Sequence, residues 1–305
     1  MRTIRRRRCA VSLAVLALLL SAGCSTSQTP AAGGKLAVVA AENFWGSIAS
    51  QLGGDRVNVT SLITNPAIDP HSYEPTPNDG RAVASARYVI ANGIGYDTWI
   101  NKLLSANPVS GRSVVVVGDL VGIKVGGNPH QWYSPATVEQ VVNQITADYQ
   151  KLQPADAAYF AQQRDNFENI GLAGYKSAIA AIKTKYAGTP VGASESIFTP
   201  LAGALGLNLL TPQTFLNAIT QGADPSAADK AIVDQLIATK AIKVFVFNSQ
   251  NATPDIQRLV DAARANAIAV TTVTETLVPP TATFQAWQTA ELQALATALA
   301  AAAGK

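Results

Sequence analysis

Only two histidines occur in this 305-residue chain, and both stand directly behind a proline. His71 lies in residues 69–73 (DPHSY), and His130 lies in residues 128–132 (NPHQW). Proline fixes its own φ angle and lacks a backbone donor, so each imidazole is expected on a stiff turn rather than in a helix. Neutral imidazole is a common ligand of transition metals. The pair therefore indicates a metal site, and the alternative at this point is two unrelated surface loops.

The elements that must position these side chains alternate along the chain. From Lys35 onward, short β-branched runs alternate with segments of helical period, which is typical of parallel α/β architecture. Predicted strands lie at 36–41, 57–63, 88–92, 114–120, 190–194, near 209, 244–247 and 268–274. Predicted helices lie at 43–52, 79–85, 98–105, 198–205, 227–239, 254–265 and 283–303.

A helical stretch separates the two halves of this pattern. It begins near residue 136, is broken at Pro154, and is predicted to continue uninterrupted to about residue 186. The fold class that follows is α/β, with two (β/α) lobes of parallel four-stranded sheets joined by one long connecting helix. A helical hairpin packed on a single lobe is the alternative. Because such a helix resists a wide hinge, we expect small movements, mainly of the loops around His71 or Glu195.

Ligand candidates lie at the ends of the predicted strands. In open parallel sheets, ligands bind beyond the carboxyl ends of the strands. His71 and His130 follow the second and fourth predicted strands, while Glu195 and Glu275 directly follow two strands of the second half. Two neutral imidazoles and two carboxylates match the charge of a divalent cation, and four ligands suit tetrahedral or slightly expanded coordination. The predicted metal ligands are therefore His71, His130, Glu195 and Glu275.

The first 23 residues are typical of a secretory signal of the lipoprotein type. Five arginines precede an apolar run, and small residues stand directly before Cys24, which would carry the lipid. The apolar run is roughly half the ~20 residues that a membrane-spanning helix needs. Ser21 stands where such signals usually carry an aliphatic residue, so cleavage without acylation is the alternative. Residues 24–34 are small and polar, and we expect them to form a flexible tether.

Composition excludes several other classes of function. Removing the five signal arginines from the 23 basic residues leaves 18 against 20 acidic residues, a net charge of −2. Such a chain has no basic footprint for nucleic acid. Of the two cysteines, Cys9 leaves with the signal and Cys24 would be acylated, so thiolate metal sites and disulfides are excluded from the folded region.

Three motifs resemble those of the solute-binding proteins of zinc and manganese ABC importers: residues 69–77 (DPHSYEPTP), 92–99 (NGIGYDTW) and 128–135 (NPHQWYSP). The resemblance covers nearly the whole mature chain. It implies two lobes joined by a rigid helix, a metal cargo held between them, delivery to a membrane permease, and no enzymatic activity. The ligand positions of that family match His71, His130, Glu195 and Glu275, although many relatives carry aspartate at the last one.

The metal stays open between Zn²⁺ and Mn²⁺. Relatives dedicated to zinc often hold a third histidine where this chain has Glu195, and the exchange of nitrogen for oxygen favours harder ions such as Mn²⁺. The Irving–Williams order nevertheless favours Zn²⁺ at almost any such site. Two other functions remain alternatives: a metal-dependent hydrolase, and a surface lipoprotein for adhesion or metal buffering.

We expect the protein to be a monomer. It should be anchored to the extracytoplasmic face of the cell membrane, or secreted if it is not acylated. Its predicted organisation has five parts. They are the signal (1–23), the tether (24–34), an N-terminal metal-binding lobe (35–135), a helical region with the connecting helix (136–187) and a C-terminal metal-binding lobe (188–305).

Overall fold

The computed structural model describes residues 34–68 and 70–304, and from Lys35 onward the chain forms one compact unit. The predicted signal, Cys24, nearly all of the predicted tether and Asp69 lie outside the described residues. Among the helices that are described, none combines the length and the apolar composition needed to cross a membrane.

The first sheet contains four parallel strands in the order β2-β1-β3-β4. From β1 the chain passes to one side to form β2 and then to the other side to form β3. The crevice at which ligands bind in open α/β sheets therefore lies beyond the carboxyl ends of β1 and β3. The elements are β1 (Leu36–Glu42), α1 (Asn43–Gly53), β2 (Val57–Ile63), α2 (Pro77–Ser85), β3 (Tyr88–Ala91), α3 (Trp99–Ala106), β4 (Ser113–Val116) and α4 (Val117–Leu120).

The second sheet repeats this topology, with the parallel order β6-β5-β7-β8. Its crevice lies beyond the ends of β5 and β7, by the same rule. Together the two sheets confirm the predicted fold class. The elements are β5 (Pro190–Ala193), α8 (Thr199–Leu205), β6 (Asn208–Leu209), α9 (Gln213–Thr220), α10 (Ala227–Ala238), β7 (Val244–Asn248), α11 (Pro254–Ala265), β8 (Ala269–Val273) and α12 (Phe284–Ala303).

Three helices and a π-helical segment connect the sheets. They are α5 (Pro135–Leu152), α6 (Ala157–Asn166), the π-helical segment Phe167–Gly171 and α7 (Ala173–Tyr186). Ser134 begins α5 by accepting a hydrogen bond from the backbone of Thr137, and Pro135 occupies the first helical position. The predicted break at Pro154 is present as a short 3-10 turn.

The helix after Pro154 is interrupted, contrary to the prediction. The amide of Leu172 donates to the carbonyl of Phe167 over five residues, which widens one turn. Gly171 lies in this turn, where a Cβ atom would come within 3.3 Å of the Phe167 ring. A side chain at this position would require the buried Phe167 ring to shift by a few tenths of an ångström.

Two further predictions were wrong in detail. The fourth strand ends at Val116 rather than Leu120, because its partner β3 ends at Ala91, opposite Val116, and offers no further backbone groups for pairing. The next residues turn into α4 instead. The helix α9 was not predicted at all, although it buries Phe215 and Leu216.

One continuous hydrophobic core joins the two sheets. It contains Val38 and Ile90 of the first sheet, Val191 and Val244 of the second, and side chains of the helices between them. The last helix also connects both halves, since the backbone of Phe284 donates to Ser47 in α1. Close-packed interiors transmit strain rather than deform continuously. The shared core therefore opposes a wide opening between the lobes.

Candidate metal centre

Three of the four predicted ligands meet in one buried cluster. His130, Glu195 and Glu275 each offer a ligand atom, and these atoms lie within 4.8 Å of one another. Nε2 of His130 is 3.7 Å from Oε1 of Glu195 and 3.5 Å from Oε2 of Glu275. The three residues are 0%, 1% and 6% exposed. Two carboxylates are thus held beside one imidazole away from water, an arrangement that is costly without a compensating positive charge.

The tautomer of His130 follows from its contacts. Nδ1 lies 2.9 Å from Oδ1 of Asn128, which also accepts from the His130 backbone amide. The orientation of this Asn128 amide is fixed because its Nδ2 donates to the carbonyl of Ser196. Nδ1 therefore carries the ring proton, and the lone pair on Nε2 is directed at the carboxylates. Such outer contacts orient ligating histidines in metal sites.

The charge state of His130 agrees with this role. Burial lowers the pKa of the imidazole to about 4, even though the neighbouring Glu195 acts to raise it. The ring is therefore neutral near pH 7, and its Nε2 has no hydrogen-bond partner among the described residues. A buried nitrogen lone pair that faces two carboxylate oxygens can be satisfied by a cation.

Amide groups and a phenol hold the two carboxylates in place. Nδ2 of Asn248, the last residue of β7, lies 3.0 Å from Oε2 of Glu195 and 2.7 Å from Oε1 of Glu275. Asn251 donates to the same Glu195 oxygen at 3.1 Å, and the hydroxyl of Tyr96 donates to Oε2 of Glu275 at 2.9 Å. Burial, and secondly the charge of Glu275, raise the pKa of Glu195 to about 7.

Sequence reasoning missed these supporting residues. One signal could have identified Asn248, because this polar residue ends a buried strand at the crevice of the second sheet. Asn128, Asn251 and Tyr96 lie in loops or turns, where no periodicity marks a side chain that points inward. Their roles depend on contacts with residues distant in the chain.

His71, the fourth predicted ligand, lies beside the cluster but not within it. It is exposed on the 3-10 turn Pro70–Ser72, and its ring centroid is 6.4 Å from that of His130 and 4.6 Å from that of Tyr96. Two imidazoles that bind one tetrahedral ion at ~2.1 Å would have ring centroids roughly 5 Å apart. His71 therefore lies about 1 Å beyond the separation that a shared ion requires.

His71 also borders the open space around the cluster. It lines a cavity of about 360 Å³ together with Glu195 and Glu275, and a second cavity of about 330 Å³ together with Asn128. The loop that precedes His71 is bonded to the second half of the chain, because Gln250 donates to the carbonyl of Pro66 at 2.7 Å. The arrangement is a buried three-residue cluster with an exposed histidine at its entrance.

Comparison with known proteins places this geometry in context. The sequence model of the periplasmic zinc-uptake complex component A family (ZnuA) matches residues 38–298. The manganese-binding lipoprotein MntA of Halalkalibacterium halodurans is 27% identical over 49% of this chain and 51% of its own length. The metal ABC transporter substrate-binding lipoprotein FimA of Streptococcus parasanguinis is 25% identical over 76% of this chain and 78% of its own. The zinc-binding lipoprotein AdcA of Streptococcus pneumoniae is 24% identical over 81% and 51%.

The chain thus spans about half the length of MntA and AdcA and most of FimA. Two solved structures share the fold. An Mn-bound periplasmic metal-binding protein from Candidatus Liberibacter asiaticus superposes with a TM-score of 0.70 at 19% identity, over 87% of this chain and all of its own. The periplasmic zinc-binding protein TroA from Treponema pallidum superposes with a TM-score of 0.71 at 19% identity, over 87% and 99%.

Proposed function

The chain belongs to the family of periplasmic zinc-uptake complex component A, and from this we propose that it is an extracytoplasmic solute-binding protein for Zn²⁺ or Mn²⁺. It captures the ion between its two lobes and delivers it to an ABC permease. The names of its relatives support this assignment, since they describe lipoproteins that bind manganese or zinc and serve ABC transporters.

The observation that carries the proposal is the lone pair on Nε2 of His130. It is buried, has no hydrogen-bond partner among the described residues, and faces oxygen atoms of Glu195 and Glu275. A divalent cation satisfies the nitrogen and neutralises both carboxylates at once. We propose His71, His130, Glu195 and Glu275 as the ligands, with His71 closing the coordination sphere.

The position of His71 suggests how an ion enters and leaves. His71 and Ser72 are exposed on their turn, and the His71 side chain borders both cavities beside the buried cluster. An incoming ion meets this imidazole first and then passes to the three buried ligands. Movement of His71 by about 1 Å completes a four-ligand site at the metal–nitrogen distance of ~2.1 Å. Release follows when the turn withdraws, so the shared core of the two lobes need not open.

The proposed organisation keeps the boundaries predicted from the sequence. The lobes correspond to 35–135 and 188–305, the helical region to 136–187, and the mature protein acts as a monomer. Acylation of Cys24, together with removal of residues 1–23, would anchor it to the cell membrane, as the lipoprotein names of its relatives suggest. Mass spectrometry of the protein from native membranes checks this, since an acylated Cys24 adds the mass of the lipid.

Calorimetric titration of the mature, metal-free protein tests the proposal. We expect sub-micromolar binding of Zn²⁺ or Mn²⁺ at one site, lost in His130→Ala and weakened in His71→Ala. Gln257→Ala is the matched control, because this exposed amide pairs with Asp261 and lines neither cavity beside the cluster. Absence of binding for both ions, or full binding by His130→Ala, would overturn the proposal.

Two alternatives remain to be compared with uptake. The hydrolase alternative is not supported, because the family consists of metal-uptake components rather than enzymes. Adhesion or metal buffering is distinguished in cells that lack the gene. Slower uptake of radioactive ⁶⁵Zn or ⁵⁴Mn under metal limitation, restored by the wild-type gene but not by His130→Ala, supports delivery to a permease. Unchanged uptake in the deletion strain favours buffering or adhesion.

A further inference from the structure

The hydroxyl of Tyr133 joins the two halves of the chain beside the cluster. Tyr133 ends the 3-10 turn that directly follows His130, and Thr274 directly precedes Glu275. The hydroxyl accepts from the backbone amide of Thr274 at 3.2 Å and lies 2.9 Å from the carbonyl oxygen of the same residue. Both residues are buried. One side chain therefore connects the turn that carries His130 to the strand end that carries Glu275.

The last helix, α12, holds this junction in place. Oε2 of Glu291 lies 2.6 Å from the Tyr133 hydroxyl, and Oε1 accepts from Oγ1 of Thr274 and from Nε1 of Trp287, each at 2.9 Å. The Tyr133 hydroxyl has a single proton, which it donates either to the Thr274 carbonyl or to Glu291. The bond from the Thr274 amide to the hydroxyl is present in both cases. We call Tyr133, Thr274 and Glu291 the interlobe latch.

The latch differs from the bond that another tyrosine makes to the same ligand. The hydroxyl of Tyr96 donates to Oε2 of Glu275 at 2.9 Å, and this oxygen also lies 3.5 Å from Nε2 of His130. An ion between that nitrogen and that oxygen would compete with Tyr96 for the lone pairs of the oxygen. Tyr133 instead bonds to backbone atoms of Thr274, so the latch can stay intact while the carboxylate binds an ion.

We propose that Tyr133 is a positioning residue, whose hydroxyl holds Glu275 at its binding distance from His130 before an ion arrives. This inference rests on the proposed function, because it takes His130 and Glu275 to be ligands of one ion. Tyr133 itself offers no ligand atom. It acts through the backbone of Thr274, and it joins a turn of the N-terminal lobe to a strand end of the C-terminal lobe.

Repulsion between the carboxylates explains why such a latch is needed. Glu195 and Glu275 both face Nε2 of His130 in a buried cluster, and like charges repel each other strongly in a medium of low dielectric constant. This repulsion favours separation of the ligands while no ion is bound. A ligand that has moved away must be brought back on binding, and the free energy of that movement lowers the affinity. The latch opposes the separation because it fixes the residue next to Glu275.

Calorimetric titration of Tyr133→Phe with ZnCl₂ and, separately, with MnCl₂ tests the proposal. For each ion that the wild-type protein binds, we expect the dissociation constant to rise about tenfold, at the lower end of the range for loss of an outer contact in a metal site. Tyr88→Phe is the matched control, because Tyr88 is also buried and its hydroxyl also donates to a carboxylate, that of Asp148 at 2.8 Å.

The control separates positioning from stability. Both variants lose a buried hydroxyl that is bonded to a carboxylate, so both should have a lower Tm than the wild-type protein. Tyr88→Phe should nevertheless bind with wild-type affinity, since neither Tyr88 nor Asp148 lines a cavity beside the cluster. A loss of affinity that merely follows the loss of Tm would appear in both variants.

Hydrogen exchange at the Thr274 amide, followed by NMR, tests the latch in the wild-type protein and needs no variant that must fold. We expect this amide to be protected from exchange already in the metal-free protein, because it donates to a buried hydroxyl. In metal-free Tyr133→Phe the same amide should exchange faster. An amide that exchanges in the metal-free wild-type protein as it would in an unfolded chain, and becomes protected only with the ion, overturns the proposal.

The outcomes also separate this inference from the proposed function. If no ion binds to the wild-type protein, the proposed function fails. If an ion binds but folded Tyr133→Phe keeps the wild-type dissociation constant, or if Tyr88→Phe weakens binding as much, the positioning role of Tyr133 is refuted and the proposed function stands. Circular dichroism of each variant establishes that it is folded.

Discussion

Replacement of Glu195 by glutamine should change the stability of the metal-free and metal-loaded protein in opposite directions. Burial and the adjacent Glu275 raise the pKa of Glu195 from 4.5 to about 7. At about 1.4 kcal/mol per pKa unit, the ionised carboxylate destabilises the metal-free fold by about 3 kcal/mol. Glutamine resembles the protonated form: its oxygen can still accept from Asn248 and Asn251, and its nitrogen can donate to Nε2 of His130.

The sign of the pH dependence follows from the raised pKa. The carboxyl ionises near pH 4.5 in the unfolded chain and near pH 7 in the folded protein. Between these values the folded state binds more protons, so the contribution of Glu195 to the free energy of unfolding decreases as pH rises. The free energy of unfolding of metal-free Glu195→Gln should therefore exceed that of the metal-free wild-type protein by about 3 kcal/mol at pH 8, but by less than about 1 kcal/mol at pH 5.

Urea titrations of chelator-treated protein at pH 5 and pH 8 measure this difference. Tryptophan fluorescence is a suitable probe, because the Trp132 ring lies 5.2 Å from that of His130. With the ion at 1,000 times its dissociation constant, the wild-type protein should gain about 4 kcal/mol, while Glu195→Gln gains little. A metal-free variant that is no more stable than the wild-type protein at pH 8, or a difference that is the same at both pH values, would refute the reasoning.

Three other changes have expected outcomes. Asn128→Ala removes the acceptor that fixes the His130 tautomer and should weaken metal binding by about 10- to 100-fold in calorimetry; equal affinity would contradict this role. Burial raises the pKa of Glu291 to about 8, so this carboxyl destabilises the folded protein as it ionises. Between about pH 5 and pH 8, the free energy of unfolding should therefore fall more steeply with pH in the wild-type protein than in Glu291→Gln, by about 1.4 kcal/mol per pH unit. Urea titrations of both proteins at pH 6 and pH 8 would show the same decrease in the free energy of unfolding if this is wrong. Gln250→Ala removes the hydrogen bond to the Pro66 carbonyl, which contributes about 1 kcal/mol to holding the loop in place. Metal release, measured by stopped-flow chelation, should therefore become about fivefold faster, with little change in Tm. An unchanged rate would show that this loop does not control release.

Much of the fold was predictable because the strands and helices of parallel α/β proteins have distinct local sequence patterns. The bounds of β2 (Val57–Ile63) and α11 (Pro254–Ala265) follow from a β-branched run and from a proline-started helical period. The errors occurred where local pattern competes with the rest of the fold. β4 stops because β3 stops beside it, and pairing between strands is not written in either strand alone.

Residue type and strand-end position were sufficient to predict the three residues that form the cluster, His130, Glu195 and Glu275. A proline-framed histidine and two glutamates directly after strands indicate a divalent cation, whatever the detailed packing. The same reasoning treats His71 and His130 as equivalent, since both follow a strand and a proline. It also assigns no role to Asn251, or to Asn128, although Asn128 opens the motif at 128–135.

The tertiary structure alone decided how these groups meet. His130 and Glu275 are far apart in the chain, and their approach to 3.5 Å results from the packing of two sheets on one core. That packing buries His130 and leaves His71 at the entrance. It also turns the Asn248 amide toward both carboxylates, so that one side chain bonds to Glu195 and Glu275 together. Sequence pattern specifies which face a side chain occupies, whereas coordination depends on distances and hydrogen bonds between residues that only the complete fold brings together.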